Sequence, residues 1–216
     1  MTASGFASVI LDVDSTICGI EGIDWLAARR GPAVGAEVVA LTDRAMRGEI
    51  PLDAVYGERL ALVRPSRDDL RALAEAYLGS IAPGATGAVA RLLGERKRVV
   101  MVSGGIREAI LPLARLLDIA DADVHAVSVR LHATGDYAGF DTTSPLATAQ
   151  GKRPVAASLN LPARVLAVGD GATDLAMRPA VDAFAAFTGF VARDHVVRSA
   201  DVIITSFDQL LELVLA

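Results

Sequence analysis

The sequence predicts an α/β protein built on a doubly wound, mostly parallel β-sheet of the Rossmann-like kind. Short apolar runs rich in β-branched residues recur along the chain, as is typical of buried parallel strands. Helical patterns lie between these runs, and such alternation favours a parallel sheet covered by helices. A long stretch near the N-terminus has helical periodicity but no convincing strand. It predicts a small helical domain inserted into the sheet domain.

Five apolar runs are expected to form the strands of the sheet. The strands are predicted at residues 6–11, 98–102, 164–168, 183–187 and 202–205, with helices at 106–117 and 171–177. Residues 124–140 instead hold two apolar segments on either side of Thr134, Gly135 and Asp136. Because Gly and Asp are typical turn residues, this segment predicts a β-hairpin.

The inserted stretch carries apolar residues at helical spacing, among them Leu70, Leu73 and Tyr77. Ser66, with Asp69 three residues later, is the pattern of a helix N-terminal cap. We therefore expect a helical cap domain at residues 17–81 and a discontinuous sheet domain at residues 1–16 and 82–216.

The composition argues against several classes of partner. The chain has 216 residues, a formal net charge of -5 and no basic run, so it lacks the electrostatic footprint for binding nucleic acid or an anionic membrane. No segment approaches the roughly 20 apolar residues that span a bilayer, and the N-terminus lacks a secretory signal pattern. Cys18 is the only cysteine, which excludes an internal disulfide. We expect a cytoplasmic monomer or homodimer that acts on a small molecule.

The strongest local motif is the segment Asp12-Val13-Asp14-Ser15-Thr16, which follows the first predicted strand. Residues two apart in an extended chain point to the same side, so Asp12 and Asp14 can face one ligand. In open α/β sheets, ligands bind beyond the carboxyl ends of the strands, where this pair is expected to lie. A pair of surface loop aspartates is the alternative interpretation.

A second acidic segment follows the predicted strand at residues 164–168. Gly169 and Gly171 allow a tight turn, after which Asp170 and Asp174 can point to the same edge of the sheet. Carboxylate oxygens suit a hard cation such as Mg2+. The alternative is a turn with a helix-capping aspartate.

Two further segments supply groups that suit a phosphate. Ser103 and Gly104 follow the strand at residues 98–102, where a hydroxyl and free backbone N–H groups can bind an anion. Lys152 lies two residues before Pro154, which suits a helix start, so its ammonium can point into the site. The alternatives are a serine-capped turn and a solvated lysine.

Along the chain the four motifs occur at residues 12–16, 103–105, 151–152 and 169–174, and in this order they resemble those of the haloacid dehalogenase-like superfamily. The second aspartate of the pair is similar to that of its phosphatases rather than its dehalogenases. The resemblance implies that Asp12 is a nucleophile that forms an aspartyl-phosphate, and that Asp14 acts as general acid and then as general base.

The same resemblance implies a metal ion and a phosphate-binding set. Mg2+ would be held by the Asp12 carboxylate, the Asp14 backbone carbonyl and Asp170, with Asp174 supporting the metal shell. The transferring phosphoryl oxygens would be bound by Ser103, Gly104, Lys152 and Thr173.

Residues outside these motifs resemble the branch of the superfamily that hydrolyses phosphoserine. They lie at residues 21–24, 44–48, 58–62, 129–131 and 135–140. This closer resemblance implies O-phospho-L-serine as the substrate, in the last step of serine biosynthesis. Glu21 would accept from its ammonium and Arg59 would bind its carboxylate. Met46 and Leu52 would contact its apolar part.

Two departures from the family pattern bear on the substrate. Leu52 and Ile106 stand where phenylalanine is usual. Both keep the site apolar, but they can loosen the pocket. The alternatives are a phosphatase or phosphotransferase that acts on another small phosphate monoester, and a phosphate-binding module without catalysis.

Overall fold

The computed structural model describes residues 5–46, 49 and 52–216, with the backbone alone at residues 42, 43, 45, 46, 52 and 53. The described strands are β1 (Ser8–Leu11), β2 (Arg98–Ile106), β3 (Val124–Val127), β4 (Val129–Leu131), β5 (Tyr137–Phe140), β6 (Val165–Gly169), β7 (Ala183–Phe187) and β8 (Val202–Ile204). Six of them form one sheet in the order β3, β2, β1, β6, β7, β8, and all of its pairs are parallel. The predicted α/β class with a mostly parallel sheet is confirmed.

Helices cover both faces of this sheet and also form the inserted stretch. They are α1 (Gly22–Arg29), α2 (Pro32–Met46), α3 (Leu52–Val63), α4 (Arg67–Gly79), α5 (Ala85–Gly94), α6 (Arg107–Leu116), α7 (Lys152–Ser158), α8 (Ala172–Leu175), α9 (Asp194–Ser199) and α10 (Phe207–Leu215). Short 3-10 turns lie at Asp121–Asp123, Pro145–Ala147 and Arg178–Ala180. Among the described helices, none is long and apolar enough to cross a bilayer.

The central strand β1 explains why the sheet has two cores. Successive side chains of a strand point to opposite faces. Val9 and Leu11 accordingly belong to one buried apolar cluster, whereas Ile10 belongs to another. Leu210 of α10 packs in the first cluster and Ala156 of α7 packs in the second. The sheet is thus buried on both sides, as its continuous apolar strands require.

The order of the strands places a crevice at the centre of the sheet. From β1 the chain proceeds to β2 and β3 on one side, and from β6 to β7 and β8 on the other. The winding direction therefore reverses between β1 and β6, which is where open α/β sheets bind ligands at the carboxyl edge. Asp12 follows β1 directly and Asp170 follows β6 directly.

The inserted stretch between β1 and α5 consists of helices α1 to α4. The predicted N-terminal cap of helix α4 is confirmed. Ser66 Oγ accepts from the Asp69 backbone N–H at 3.3 Å, and Asp69 Oδ2 accepts from the Ser66 N–H at 2.9 Å. Arg30 also pairs with Asp69, which holds α1 against the start of α4. Leu73 and Tyr77 of α4 are fully buried.

Three sequence-based boundaries were wrong. Residues 124–127 do not belong to the hairpin: they form β3, an edge strand parallel to β2, and only β4 and β5 pair antiparallel. Strand β2 continues through an irregularity to Ile106, so Ser103 and Gly104 lie within the strand and α6 begins at Arg107. The helix predicted at residues 171–177 ends at Leu175, and the 3-10 turn that contains Pro179 follows it.

Candidate active site

Most of the predicted site residues line one cavity at the carboxyl edge of the sheet. Its volume is about 540 Å³. The predicted residues that line it are Asp12, Asp14, Glu21, Arg59, Gly104, Lys152, Asp170, Thr173 and Asp174. Ser103 is buried beside the cavity, where its hydroxyl accepts from the Gly105 N–H at 3.0 Å. The side chains of Met46 and Leu52 lie outside the described part of the structure.

Lys152 joins two acidic segments inside the cavity. Its Nζ atom lies 2.6 Å from Asp12 Oδ1 and 2.5 Å from Asp174 Oδ1. All three side chains are buried. Burial lowers the pKa of the Lys152 ammonium, but the Asp12 and Asp174 carboxylates outweigh burial and hold that pKa above its ordinary value. The ammonium is therefore charged at neutral pH beside Asp12.

Two glycines allow this close arrangement. A Cβ atom on Gly169 would lie 2.4 Å from the Cβ of Asp174, so only glycine lets Asp174 turn back beneath the end of β6. A Cβ atom on Gly151 would lie 1.7 Å from the Pro145 carbonyl oxygen. Glycine at this position therefore lets α7 start close enough to the sheet for Lys152 to reach its partners.

The acidic residues of the cavity form a set that fits a divalent cation. Carboxylate oxygens of Asp12, Asp170 and Asp174, all buried, lie within 4.8 Å of one another. Burial raises the pKa of Asp12 well above its ordinary value, with Asp174 adding to the rise and Lys152 opposing it. Burial and Asp174 also raise the pKa of Asp170 to about 6. A hard divalent cation favours the ionised form of carboxylates and would offset the repulsion among these three. The set therefore offers the oxygen ligands that such an ion requires.

Asp14 faces the same cavity with a different environment. Its Oδ1 atom accepts from the Tyr77 hydroxyl at 2.8 Å and from the Gly22 N–H at 2.8 Å. Burial and, to a smaller extent, the Glu21 carboxylate raise the pKa of Asp14 to about 7, against the opposing effect of the hydrogen bonds from Tyr77 and Gly22. A carboxyl group of this kind can both give and take a proton near neutral pH.

The two residues predicted to bind the substrate's charges both line the cavity and both have partners. Glu21 Oε1 accepts from Ser15 Oγ at 2.8 Å and lies 3.4 Å from Arg193 Nη2. Arg59 pairs with Asp24 through its Nη2 atom. The Nε atom of Arg59 is buried and has no hydrogen-bond partner among the described residues.

Sequence reasoning missed two residues that donate hydrogen bonds to aspartates of the cavity. Arg193 Nε donates to Asp170 Oδ2 at 2.8 Å. Its position in the loop after β7 places it at the carboxyl edge of the sheet, but no motif in that loop marks it as a site residue. Tyr77 appeared in the sequence only as a buried helical position, and the partner of its hydroxyl follows from tertiary contact alone.

Comparison with known proteins agrees with the fold. The family model for haloacid dehalogenase-like hydrolases matches residues 9–179, so the chain belongs to that family. Phosphoserine phosphatase of Rattus norvegicus is 39% identical over 207 residues, which cover 94% of this chain and 91% of the rat protein. The Homo sapiens phosphoserine phosphatase has the same identity and coverage. These relatives show that, within the hydrolases, the chain belongs to the phosphoserine phosphatase family.

The solved structures support the fold. The crystal structure of a phosphoserine phosphohydrolase-like protein from Francisella tularensis subsp. tularensis SCHU S4 matches with a TM-score of 0.83 at 23% identity, covering 97% of this chain and 100% of that chain. At this identity the match shows a common architecture of sheet and inserted helices.

Proposed function

We propose that this chain hydrolyses O-phospho-L-serine to L-serine and phosphate through an aspartyl-phosphate formed on Asp12. The observation that carries the proposal is the buried contact between Asp12 and Lys152. It lies in the same cavity as Asp14, where the winding of the sheet reverses between β1 and β6. The relatives named phosphoserine phosphatase supply the substrate. Residues 1–16 and 82–216 would form the catalytic sheet domain, and residues 17–81 the cap over it.

In the first half of the reaction, Asp12 acts as the nucleophile. A bond forms between an Asp12 carboxylate oxygen and phosphorus while the bond between phosphorus and the serine oxygen breaks. The proton on Asp14 passes to the departing serine oxygen. Serine leaves as a neutral alcohol, which is a far better leaving group than its alkoxide.

The second half of the reaction returns the site to its starting state. Asp14, now a carboxylate, takes a proton from a water molecule as the oxygen of that water bonds to phosphorus. The bond between Asp12 and phosphorus breaks, which releases phosphate and restores the Asp12 carboxylate. The pKa of about 7 for Asp14 suits a group that is acid and base in turn.

The charge of the phosphoryl group needs cationic and hydrogen-bonding partners. Lys152 would contact one phosphoryl oxygen, and Ser103, Gly104 and Thr173 would bind others. The Ser103 hydroxyl accepts from the Gly105 N–H, so its own proton can be donated to a phosphoryl oxygen.

The divalent cation that the acidic set fits is proposed to be Mg2+. Asp12 and Asp170 would hold it through carboxylate oxygens and Asp14 through its backbone carbonyl. When bound, Mg2+ neutralises phosphoryl charge and polarises the phosphorus–oxygen bonds. Asp174 would support this shell from its position between Lys152 and the Gly171 N–H.

Selectivity for phosphoserine would come from the side of the cavity opposite the sheet. Arg59, whose Nε has no partner among the described residues, would bind the substrate carboxylate, and Glu21 would accept from its ammonium. Met46 and Leu52 would contact the substrate methylene. Opposite charges at these two positions disfavour esters without an amino-acid head.

The experiment is phosphate release by the purified protein with phosphoserine, phosphothreonine and phosphoglycolate, with Mg2+ and with a chelator. Phosphoserine with Mg2+ should be the best substrate, and Asp12→Asn should abolish release. Faster release from phosphoglycolate would replace the proposal with a phosphatase for another ester. No release from any ester would favour a binding module.

A further inference from the structure

A tyrosine of the inserted helices lies against the carboxylate that the proposed reaction uses for proton transfer. Tyr77 belongs to α4, and its side chain is fully buried. Its hydroxyl lies 2.8 Å from Asp14 Oδ1. Among the described residues, Tyr77 has no other hydrogen-bond acceptor for that hydroxyl proton, so the hydroxyl donates to Oδ1.

A second donor meets the same oxygen. The Gly22 backbone N–H, at the start of α1, donates to Asp14 Oδ1 at 2.8 Å. An oxygen that accepts from two donors is disfavoured as the site of a proton. The proton of a neutral Asp14 therefore resides on the other oxygen, Oδ2.

The Oδ2 atom lies on the side of Asp14 toward Gly105. A Cβ atom built on Gly105, a residue that lines the cavity, would lie 2.9 Å from Asp14 Oδ2. Among the described residues, nothing donates a hydrogen bond to Oδ2. The two oxygens of Asp14 are thus differentiated, with one anchored to the inserted helices and one free to face a substrate.

Further contacts fix the position of Tyr77. The Tyr77 carbonyl accepts from Cys18 Sγ at 3.3 Å and from the Ser80 N–H at 3.1 Å. A Cβ atom on Gly22 would lie 2.2 Å from the Tyr77 hydroxyl, so only glycine at position 22 lets the hydroxyl reach Asp14.

We propose that Tyr77 is a positioning residue that holds Asp14 with Oδ2 toward the substrate, so that Oδ2 delivers the proton to the leaving oxygen. This inference rests on the proposed function. In the step concerned, the oxygen–phosphorus bond to Asp12 forms, the ester oxygen–phosphorus bond breaks, and the Oδ2 proton moves to the ester oxygen. Without Tyr77 the carboxyl group can rotate, and fewer of its orientations present a proton.

The test compares two leaving groups in Tyr77→Phe. Serine leaves poorly unless it is protonated, whereas the nitrophenolate of p-nitrophenyl phosphate leaves without a proton. For phosphoserine, kcat/KM should fall about 10- to 100-fold, the range expected for losing one hydrogen bond to a carboxyl group that becomes charged as it gives up its proton. For p-nitrophenyl phosphate, kcat/KM should stay within about twofold. Tyr137→Phe is the matched control, because Tyr137 lies on β5 with its ring near Arg64 and should leave both values unchanged.

A Gly22→Ala variant tests the contact between the Tyr77 hydroxyl and Asp14 without altering the tyrosine. It replaces Tyr77→Phe in the comparison if a melting experiment shows that Tyr77→Phe does not fold. It should show the same selective loss on phosphoserine. Equal losses on both esters, or no loss on either, would overturn the inference. The rate of the wild-type protein on phosphoserine tests the proposed function separately. If the wild-type protein cleaves a different alkyl phosphate, that ester replaces phosphoserine in the comparison with p-nitrophenyl phosphate. A wild-type protein inactive on every ester would overturn both.

Discussion

The Nζ atom of Lys152 lies 2.6 Å from Asp12 Oδ1, although 140 positions of the chain separate the two residues. The contact joins the start of α7 to the end of β1 in a buried environment, with Asp174 as the second partner of the ammonium. A buried charge of this kind is retained only when it is fully paired. The same ion pair therefore contributes to the packing of the sheet edge and to the proposed chemistry.

Removing the ammonium should impair both roles. In Lys152→Met, Asp12 and Asp174 become neighbouring buried carboxylates without a counter-charge. We expect kcat with phosphoserine to fall by about a thousandfold or more and the free energy of unfolding to fall by about 3 kcal/mol. Lys97→Met, at the only other lysine of the chain, is the control. Steady-state kinetics and urea denaturation measure the two effects, and a variant with near wild-type kcat would rule out this role for Lys152.

The pKa of Asp14 predicts a pH dependence. Burial raises this pKa to about 7, so the carboxyl group is protonated below that pH and ionised above it. Since the leaving serine oxygen needs the proton, kcat/KM for phosphoserine should decrease as the pH rises through about 7. The aryl ester p-nitrophenyl phosphate should lack this decrease. A profile for phosphoserine that is flat through neutral pH would contradict the assignment of Asp14.

Metal binding can be measured without turnover. An ion that binds only the folded protein raises its melting temperature by mass action. MgCl2 should therefore stabilise the wild-type protein, and Asp170→Asn should lose most of that increase because one of the three clustered carboxylates is neutralised. Asp68→Asn, at an exposed residue, should keep the full increase. Equal stabilisation of Asp170→Asn and wild type would place the ion elsewhere.

Arg59 should determine the preference for the substrate carboxylate. In Arg59→Met, kcat/KM for phosphoserine should fall by about 100-fold, as expected for the loss of a charge-assisted bidentate contact. O-phosphoethanolamine has the ammonium but no carboxylate, so its hydrolysis should change little. Arg71→Met, at an exposed position of α4, controls for the loss of positive charge. A similar loss on both esters would show that Arg59 acts through the cap structure instead.

The meeting of Asp12, Asp14, Lys152 and Asp170 could be predicted because each follows a recognisable strand or helix-start pattern. The carboxyl ends of parallel strands share one edge, so local pattern and topology together are enough. Arg193 comes from the same edge, but its loop has no motif that distinguishes it from a solvated arginine.

Other features depend on tertiary contacts that local patterns do not encode. The helical spacing of Leu73 and Tyr77 predicts a buried face, but it does not reveal that the Tyr77 hydroxyl meets Asp14. The two apolar segments on either side of Thr134, Gly135 and Asp136 predict one hairpin over residues 124–140, yet only Ser128 separates β3, which lies in the parallel sheet, from β4 of the hairpin. Pairing with β2 places β3 in the parallel sheet, and the sequence of β3 itself does not reveal this pairing.

The most direct test of the account is identification of the residue that carries phosphate during turnover. The wild-type protein would be mixed with phosphoserine, quenched in acid and reduced with tritiated borohydride, which expels the phosphate of an aspartyl-phosphate and leaves a labelled homoserine that mass spectrometry can locate. We predict a single acyl-phosphate on Asp12, absent from Asp12→Asn. Rapid phosphate release with no label on Asp12, or with the label on another residue, would contradict the account.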